Sequence, residues 1–240
     1  MIVRDIMTTR LIAVEPDDTL AHAITLLRQY HFHHLPVTCK LHRKTPEGVL
    51  TTLLLCEGMV STQDIDIAAA GAPGRQNEQA FWQERRIVEV MHHASLRVTP
   101  TTSVSAAAQI LVERGLNCLP VVEYELIEGE TQAVLVGLIT RSDLLQALSR
   151  AMGSAEPGMQ LDVLLPLGDI SSLANTLLLA HEMHVQVHSV LATPDEQGNL
   201  KVASLRLGTI NPSPLLVRLR KEGIQYSYGE SLKEDEMPQR

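Results

Sequence analysis

Aromatic side chains are scarce: 2 Phe, 1 Trp and 4 Tyr make up 3% of the 240 residues. Any core must come from Leu, Val, Ile and Ala, which a hydrophobic content of 45% can supply. Cysteine is equally sparse. Cys39, Cys56 and Cys118 form an odd, scattered set without CxxC spacing, which argues against a disulfide framework and gives no zinc signature. Long apolar runs are missing too. The most apolar stretch, "VLTTLLLC", falls far short of a membrane span, and "MIVRDIMTTR" at the N-terminus has no apolar segment of the secretory kind. Positive charge is in deficit, with 20 Lys and Arg against 28 Asp and Glu, a net charge of −8. An acidic chain is a poor phosphate-backbone binder, which argues against nucleic acid as the partner. No GxSxG elbow, HExxH or Walker loop occurs, and no spacing singles out a nucleophile, base and orienter. The expectation is a reduced, cytoplasmic, non-catalytic protein with no resident metal.

What is there is a repeat. "DIMTTRLIAVEPDDTLAHAITLLRQYHFHHLPV" (Asp5 to Val37) aligns without a gap on "EVMHHASLRVTPTTSVSAAAQILVERGLNCLPV" (Glu89 to Val121) at an offset of 84. Met7 falls on Met91, Pro16 on Pro100, Leu27 on Leu111, and Leu35-Pro36-Val37 on Leu119-Pro120-Val121. A second block, "GMVSTQDI" from Gly58, matches "GLITRSDL" from Gly137 at an offset of 79.

Each copy reads as β-α-β-β-α. A short extended segment ends at Pro16 or Pro100, after which Asp17 and Asp18, or Thr101 and Thr102, offer N-cap chemistry. Leu20, Ala23, Ile24 and Leu27 recur at helical spacing, as do Val104, Ala107, Ala108 and Leu111. Gly115 stops the second of these helices in the left-handed position, and His31 stands in the same place in the first copy. Strands follow through Leu-Pro-Val and through Val49 to Val60 or Ala133 to Ile139, each pair leading into a helix.

Beyond the linker-like "GSAEPG", the pattern changes. "MQLDVLLPL" reads as a strand, "SSLANTLLLAHEMH" as a helix, and "VHSVLATP" and "LKVASLRLGTI" as strands around "DEQGN". "NPSPLLVRLRKEG" is a helix punctuated by Asn211 as cap, prolines in the first turn, Arg220 and Lys221 in the last, and Gly223 as stop. "IQYSYGE" closes a β-α-β-β-α-β order, which is ferredoxin-like. The organisation is α/β (α+β), with boundaries at 1–75 and 76–152 for the repeats, 153–158 for the linker, 159–230 for the C-terminal domain and 231–240 for a disordered tail.

The "DIMT" opening, the "HLPV" and "CLPV" strands and the doubled Gly-apolar-apolar-Ser/Thr-x-x-Asp pattern resemble a tandem pair of CBS domains, a Bateman module, over about residues 1 to 150. By element order the C-terminal domain resembles an ACT domain, and the whole layout is similar to bacterial acetoin-utilisation B-type proteins. The resemblance implies regulation rather than catalysis. CBS pairs commonly bind AMP, ADP, ATP or S-adenosylmethionine between the repeats, and ACT domains bind amino acids at paired interfaces. A homodimer, and a partner enzyme that the sequence does not name, are expected with it. The alternatives are a ligand-independent assembly module and a histidine-dependent metalloenzyme.

Ser61 with Asp64, and Thr140 with Asp143, have capping-box spacing. The same helix N-terminus attracts phosphate. The hydroxyl can donate to a phosphate oxygen and the aspartate can accept from ribose hydroxyls, as the resemblance implies. Retention of both residues in both copies favours the nucleotide reading over capping alone. The resemblance places the adenine slot at Ile12, Ala13 and Val14 facing His34, Leu35 and Pro36 in one copy. In the other it is Leu96, Arg97 and Val98 facing Cys118, Leu119 and Pro120. Leu35, Leu119, Val14 and Val98 read as core. Arg97 and Arg141 are candidate phosphate partners, with plain surface arginines as the alternative. Site A is thus Ile12, Ala13, His34, Pro36, Ser61 and Asp64. Site B is Leu96, Arg97, Cys118, Pro120, Thr140, Arg141 and Asp143. With Ala13 and Thr62 in place of the arginines, site A would suit a less charged ligand or stay empty.

Gly168, Asp169, Ile170 and Ser171 form the candidate effector loop of the ACT-like domain, although a helix cap explains Asp169 and Ser171 as well. Among the histidines, His181, His184 and His188 lack a partner ligand at a recognisable interval, and His184 reads as a packing residue. His92 and His93 read as loop or rim. In "YHFHHLPV" the twins of His31, His33 and His34 are Gly115, Asn117 and Cys118, so a shared metal site is not expected. His33 reads as rim, and His34 as a wall of the first cleft.

Overall fold

The computed structural model describes residues 1–44, 48–70, 81–93, 96–153, 156–194 and 197–228. The expected boundary at 75/76, part of the linker, part of the "DEQGN" turn and the tail 231–240 lie outside the described residues. The chain divides into two compact units, Met1–Leu145 and Gln146–Arg240.

In the first unit each repeat supplies a helix, a long hairpin and a second helix. The first has α1 (Leu20–Tyr30), β1 (His34–Lys44), β2 (Leu50–Ser61) and α2 (Thr62–Ala70). After β3 (His92–His93), the second has α3 (Val104–Glu113), β4 (Cys118–Ile127), β5 (Glu130–Thr140) and α4 (Arg141–Ala151). The hairpins share one sheet in the order β1-β2-β5-β4, joined where Leu55 faces Val134, and β3 lies beside β2. Both hairpins carry a bulge one residue after Leu-Pro-Val, at Val37/Thr38 and Val121/Val122.

The expected opening strand shrinks to a single parallel bridge in each copy, Val14 with Val37 and Val98 with Val121. Upstream of that bridge the chain leaves its own repeat. Val3 is fully buried with Val98, Leu111, Leu119 and Ile139 in the second repeat's core, and the Thr8 backbone exchanges both hydrogen bonds with Leu138. Ile87, the twin of Val3, is buried with Leu20, Leu27, Leu35 and Val60 in the first repeat's core. The opening segments are therefore exchanged between the repeats. The motif glycines mark the crossing: a Cβ at Gly58 would stand 2.5 Å from the His92 carbonyl oxygen, and one at Gly137 3.2 Å from that of Thr8. This pairing makes His92 and His93, expected as loop or rim, a short exposed strand, β3.

Both caps sit one residue later than expected. Thr19 Oγ1 accepts from His22 N at 3.3 Å, and Ser103 Oγ from Ala106 N at 3.1 Å. Asp18 and Thr102 instead close the preceding turn, accepting from Glu15 N at 2.8 Å and Thr99 N at 3.0 Å. At the other end of α1, His31 adopts the left-handed conformation (φ 55°, ψ 37°), as Gly115 does after α3 (φ 65°).

The second unit runs β6 (Met159–Leu164), α5 (Ser171–Glu182), β7 (Val187–Pro194), β8 (Leu200–Leu207), α6 (Ser213–Lys221) and β9 (Tyr226–Tyr228). Its sheet is antiparallel in the order β7-β8-β6-β9. Alternation along β6 and β8 buries Leu161, Val163, Leu205 and Leu207 against Leu215 and Leu219 of α6. Asn211 Oδ1 accepts from Ser213 N at 3.2 Å, and Gly223 ends α6 with φ 71°. His184 is not a packing residue. It is exposed, with φ 55°, and ends α5 in the left-handed position while Val185 N bonds Ala180 O.

Candidate functional site

The two Ser/Thr-x-x-Asp motifs form reciprocal caps at the starts of α2 and α4. Asp64 Oδ2 accepts from Ser61 N at 2.8 Å and from Ser61 Oγ at 2.7 Å, while Asp64 N donates back to Ser61 Oγ at 3.3 Å. Asp143 Oδ2 accepts from Thr140 N and Thr140 Oγ1, both at 2.8 Å, and Asp143 N returns a bond to Thr140 Oγ1 at 3.2 Å. The second oxygen of each carboxylate meets the other repeat's opening segment. Asp64 Oδ1 contacts His92 Nε2 at 2.8 Å, and Asp143 Oδ1 accepts from Thr8 Oγ1 at 3.5 Å.

Each motif opens onto a cavity. One, of about 440 Å³, brings Thr140, Arg141 and Ser142 together with Thr8, Arg10, Leu11 and Ile12. The segment His31 to His34, with Asn117 and Cys118, completes it. The other, of about 290 Å³, combines Met59, Ser61, Gln63 and Asp64 with His92, His93 and Leu96. The segment Gly115 to Pro120 and His34 complete this one. The larger lies within the usual size range of small-molecule pockets, about 300–1,000 Å³, and the smaller at its lower edge. His34, Asn117 and Cys118 line both.

The structure regroups the expected sites. Ile12 joins Thr140, Arg141 and Cys118 instead of Ser61 and Asp64, while His34 stays with Ser61 and Asp64 and lines the other cavity as well. Leu96 and Pro120 join Ser61 and Asp64 instead of Thr140, while Cys118 stays with Thr140 and Arg141 and lines the other cavity as well. The physical reason is the exchange of opening segments, which carries Ile12 to the second repeat's motif and Leu96 to the first's. Ala13, Pro36, Arg97 and Asp143 are not among the residues lining either cavity, although Asp143 stands directly behind Thr140. Val14, Val98, Leu35 and Leu119 are buried core.

The two arginines proposed for phosphate serve the scaffold. Arg97 Nη2 donates to the Cys56 carbonyl at 3.1 Å. Arg141 lines the larger cavity, but its Nε donates to Leu116 O at 2.8 Å and its Nη2 to Leu111 O at 3.3 Å, fixing the loop after α3. Sequence reasoning missed Arg10, Asn117 and Phe32 as cavity residues. Arg10 could have been found as a basic residue in the crossing segment, had the exchange been known. His33 is exposed, as expected, and lines the larger cavity.

Burial chiefly, and then the neighbouring His33, push the His34 imidazole pKa below its ordinary value, while Asp64 pulls the other way. Burial pushes the Cys118 thiol up to about 12, with Asp143 adding to the shift, so this shared wall residue stays a neutral thiol. Among the described residues, no group of three His, Cys, Asp or Glu could hold a metal ion.

In the C-terminal unit, Gly168 takes φ 76°, and Asp169 Oδ1 accepts from Ser171 N at 2.9 Å and Ser171 Oγ at 2.7 Å. These bonds hold the exposed Asp169 carboxyl below its ordinary pKa and cap α5. Ile170 is exposed.

Residues 3–53 and 87–150 match the family model described as CBS domain. The first unit carries a tandem pair of CBS domains. The CBS domain-containing protein YhcV of Bacillus subtilis (strain 168) is similar at 28% identity over 155 residues, 64% of this chain and 91% of YhcV. A crystal structure from Vibrio cholerae, of a protein provisionally described as an acetoin utilization protein (AcuB), is similar at 26% identity and TM-score 0.47, covering 65% of this chain and 98% of that one. The crystal structure of CBSX2 in complex with AMP shares 25% identity at TM-score 0.42, over 61% of this chain and 95% of that one. No helix among the described residues is long and apolar enough to cross a membrane.

Proposed function

We propose that the protein is a regulatory sensor whose CBS pair binds an adenosine-containing ligand: AMP, ADP, ATP or S-adenosylmethionine. The observation that carries this reading is the pair of twin cavities, each with a hydroxyl–aspartate cap at a helix N-terminus and an apolar wall opposite. The helix N-terminus suits phosphate, the carboxylate of Asp64 in the smaller cavity suits a ribose hydroxyl, and Ile12 in one cavity or Leu96 and Pro120 in the other suit adenine. CBS pairs commonly take such ligands between their repeats. Ligand binding shifts the pair only if affinity differs between two arrangements.

The C-terminal unit is read as an ACT-like ferredoxin-type domain, supported by its β-α-β-β-α-β order and its sheet order β7-β8-β6-β9. In this reading it transmits the bound state to a partner and makes a homodimer. Its loop at Gly168 to Ser171 acts as a helix cap. The protein itself catalyses nothing.

Calorimetry and thermal shift of the whole chain against the four ligands test the proposal. Binding of at least one is expected, with Asp143→Ala weakening it more than Asp64→Ala because the larger cavity adjoins Thr140. Absence of heat and of thermal stabilisation for all four would overturn it and leave a ligand-independent assembly module.

A further inference from the structure

The two cavities are built from repeat-equivalent positions, so they differ mainly in side chain. Thr8, Ile12, Leu138, Thr140 and Ser142 in the larger correspond to His92, Leu96, Met59, Ser61 and Gln63 in the smaller. Charge does not correspond. The larger cavity is lined by Arg10 and Arg141 and, among the described residues, by no Asp or Glu. The sequence twins of those arginines are Ala94 and Thr62. Among the described residues, the smaller cavity is lined by no Lys or Arg, and it contains the carboxylate of Asp64. Histidine does not separate the two, since His31, His33 and His34 line one, and His34, His92 and His93 the other. Arg141 is already committed to the carbonyls of Leu116 and Leu111. Arg10 is exposed, and among the described residues no side-chain hydrogen bond or ion pair holds it.

We propose that the twin cavities sort ligands by phosphate. The larger takes the phosphate-bearing adenosine ligand with Arg10 as the residue that selects for phosphate, and the smaller takes an adenosine moiety without phosphate. This rests on the adenosine reading of the site. A guanidinium meets phosphate with paired, charge-assisted hydrogen bonds, which a bare nucleoside cannot reciprocate. In the smaller cavity a phosphate would meet the carboxylate of Asp64 with no arginine or lysine in the wall to offset it, whereas a ribose hydroxyl can donate to that same carboxylate. The discrimination is local, because the chain as a whole carries a charge of −8.

The test is calorimetry on the full chain with AMP and adenosine as probes, at low and high salt. Arg10→Ala is expected to weaken AMP about tenfold or more while leaving adenosine within about twofold. Arg10→Lys should restore part of the AMP affinity, since a point charge remains without the bidentate geometry. AMP affinity should fall with salt and adenosine affinity should not. Equal weakening of both probes by Arg10→Ala, or no change in either, would overturn the sorting while leaving the sensor reading intact. Failure of wild-type chain to bind either probe, or any of the four ligands above, would overturn both.

Discussion

His92 Nε2 lies 2.8 Å from Asp64 Oδ1, a contact made between the two repeats. Its sequence twin is the pair Thr8 and Asp143, whose side-chain oxygens are 3.5 Å apart. In both pairs one carboxylate oxygen caps its own helix and the other receives the partner repeat's opening segment. Helix capping and the joining of the repeats thus rest on the same two aspartates, beside the two cavities.

Asp64→Ala should therefore destabilise the chain by about 1–3 kcal/mol, because Ser61 N, Ser61 Oγ and His92 all lose their acceptor at a site only 8% exposed. His92→Ala should cost less than about 1 kcal/mol, since that side chain is 78% exposed. Urea unfolding of the two variants measures both values. Equal losses would show that the inter-repeat contact, and not the cap, dominates.

His31 and His184 both hold positive φ without being glycine, each at the end of a helix. Left-handed backbone costs a side-chain-bearing residue about 1–2 kcal/mol, partly offset in a glycine variant by the greater freedom of its unfolded chain. His31→Gly and His184→Gly should each raise the unfolding free energy, by about 0.5–1 kcal/mol. Thermal and urea unfolding read this directly. A loss of stability at His31 would mean that its imidazole contributes more to the wall of the larger cavity than the backbone strain removes.

The lowered pKa of His34 has a definite consequence for stability. As pH falls, the unfolded chain takes up this proton first, so the contribution is fully present above about 6.5 and is lost as pH drops through the lower folded-state value. His34→Gln removes that dependence. Unfolding free energies of wild type and variant, compared from about pH 7.5 down to about pH 5, should draw together or cross in the variant's favour on the acid side. Parallel curves would show that His34 titrates alike in both states.

The local elements were legible because each is written in a short window. The helical spacing of Leu20, Ala23 and Leu27, and of Ala107 and Leu111, marks residues that are buried in α1 and α3. The caps slipped by one position because the side chains of Asp18 and Thr102 are taken up in the preceding turn by Glu15 N and Thr99 N. His184 was misplaced for a related reason. Its spacing continues the apolar face of α5, yet the helix has already ended at Glu182. The grouping of the site residues was legible in part: His34 does line a cavity with Ser61 and Asp64, and Cys118 one with Thr140 and Arg141, but the places of Ile12, Leu96 and Pro120 were not. Val3 and Ile87 are twins, so a self-alignment looks the same whether each opening segment packs in its own repeat or in the other. Only long-range contact distinguishes the two, and that contact decides that Ile12 faces Thr140.

The exchange itself is open to a direct measurement. Val3 is fully buried among Val98, Leu111, Leu119 and Ile139, all of the second repeat. Val3→Ala should cost about 1–3 kcal/mol, and the loosening should appear in the second repeat although the substitution lies at the start of the first. Amide hydrogen exchange should quicken in α3, β4 and β5 and change little in α1 and β1. Ile87→Ala should produce the opposite map, quickening α1, β1 and β2. Protection lost in the substituted residue's own repeat would mean that the opening segments are not exchanged, and Ile12 and Leu96 would return to the motifs nearest them in sequence.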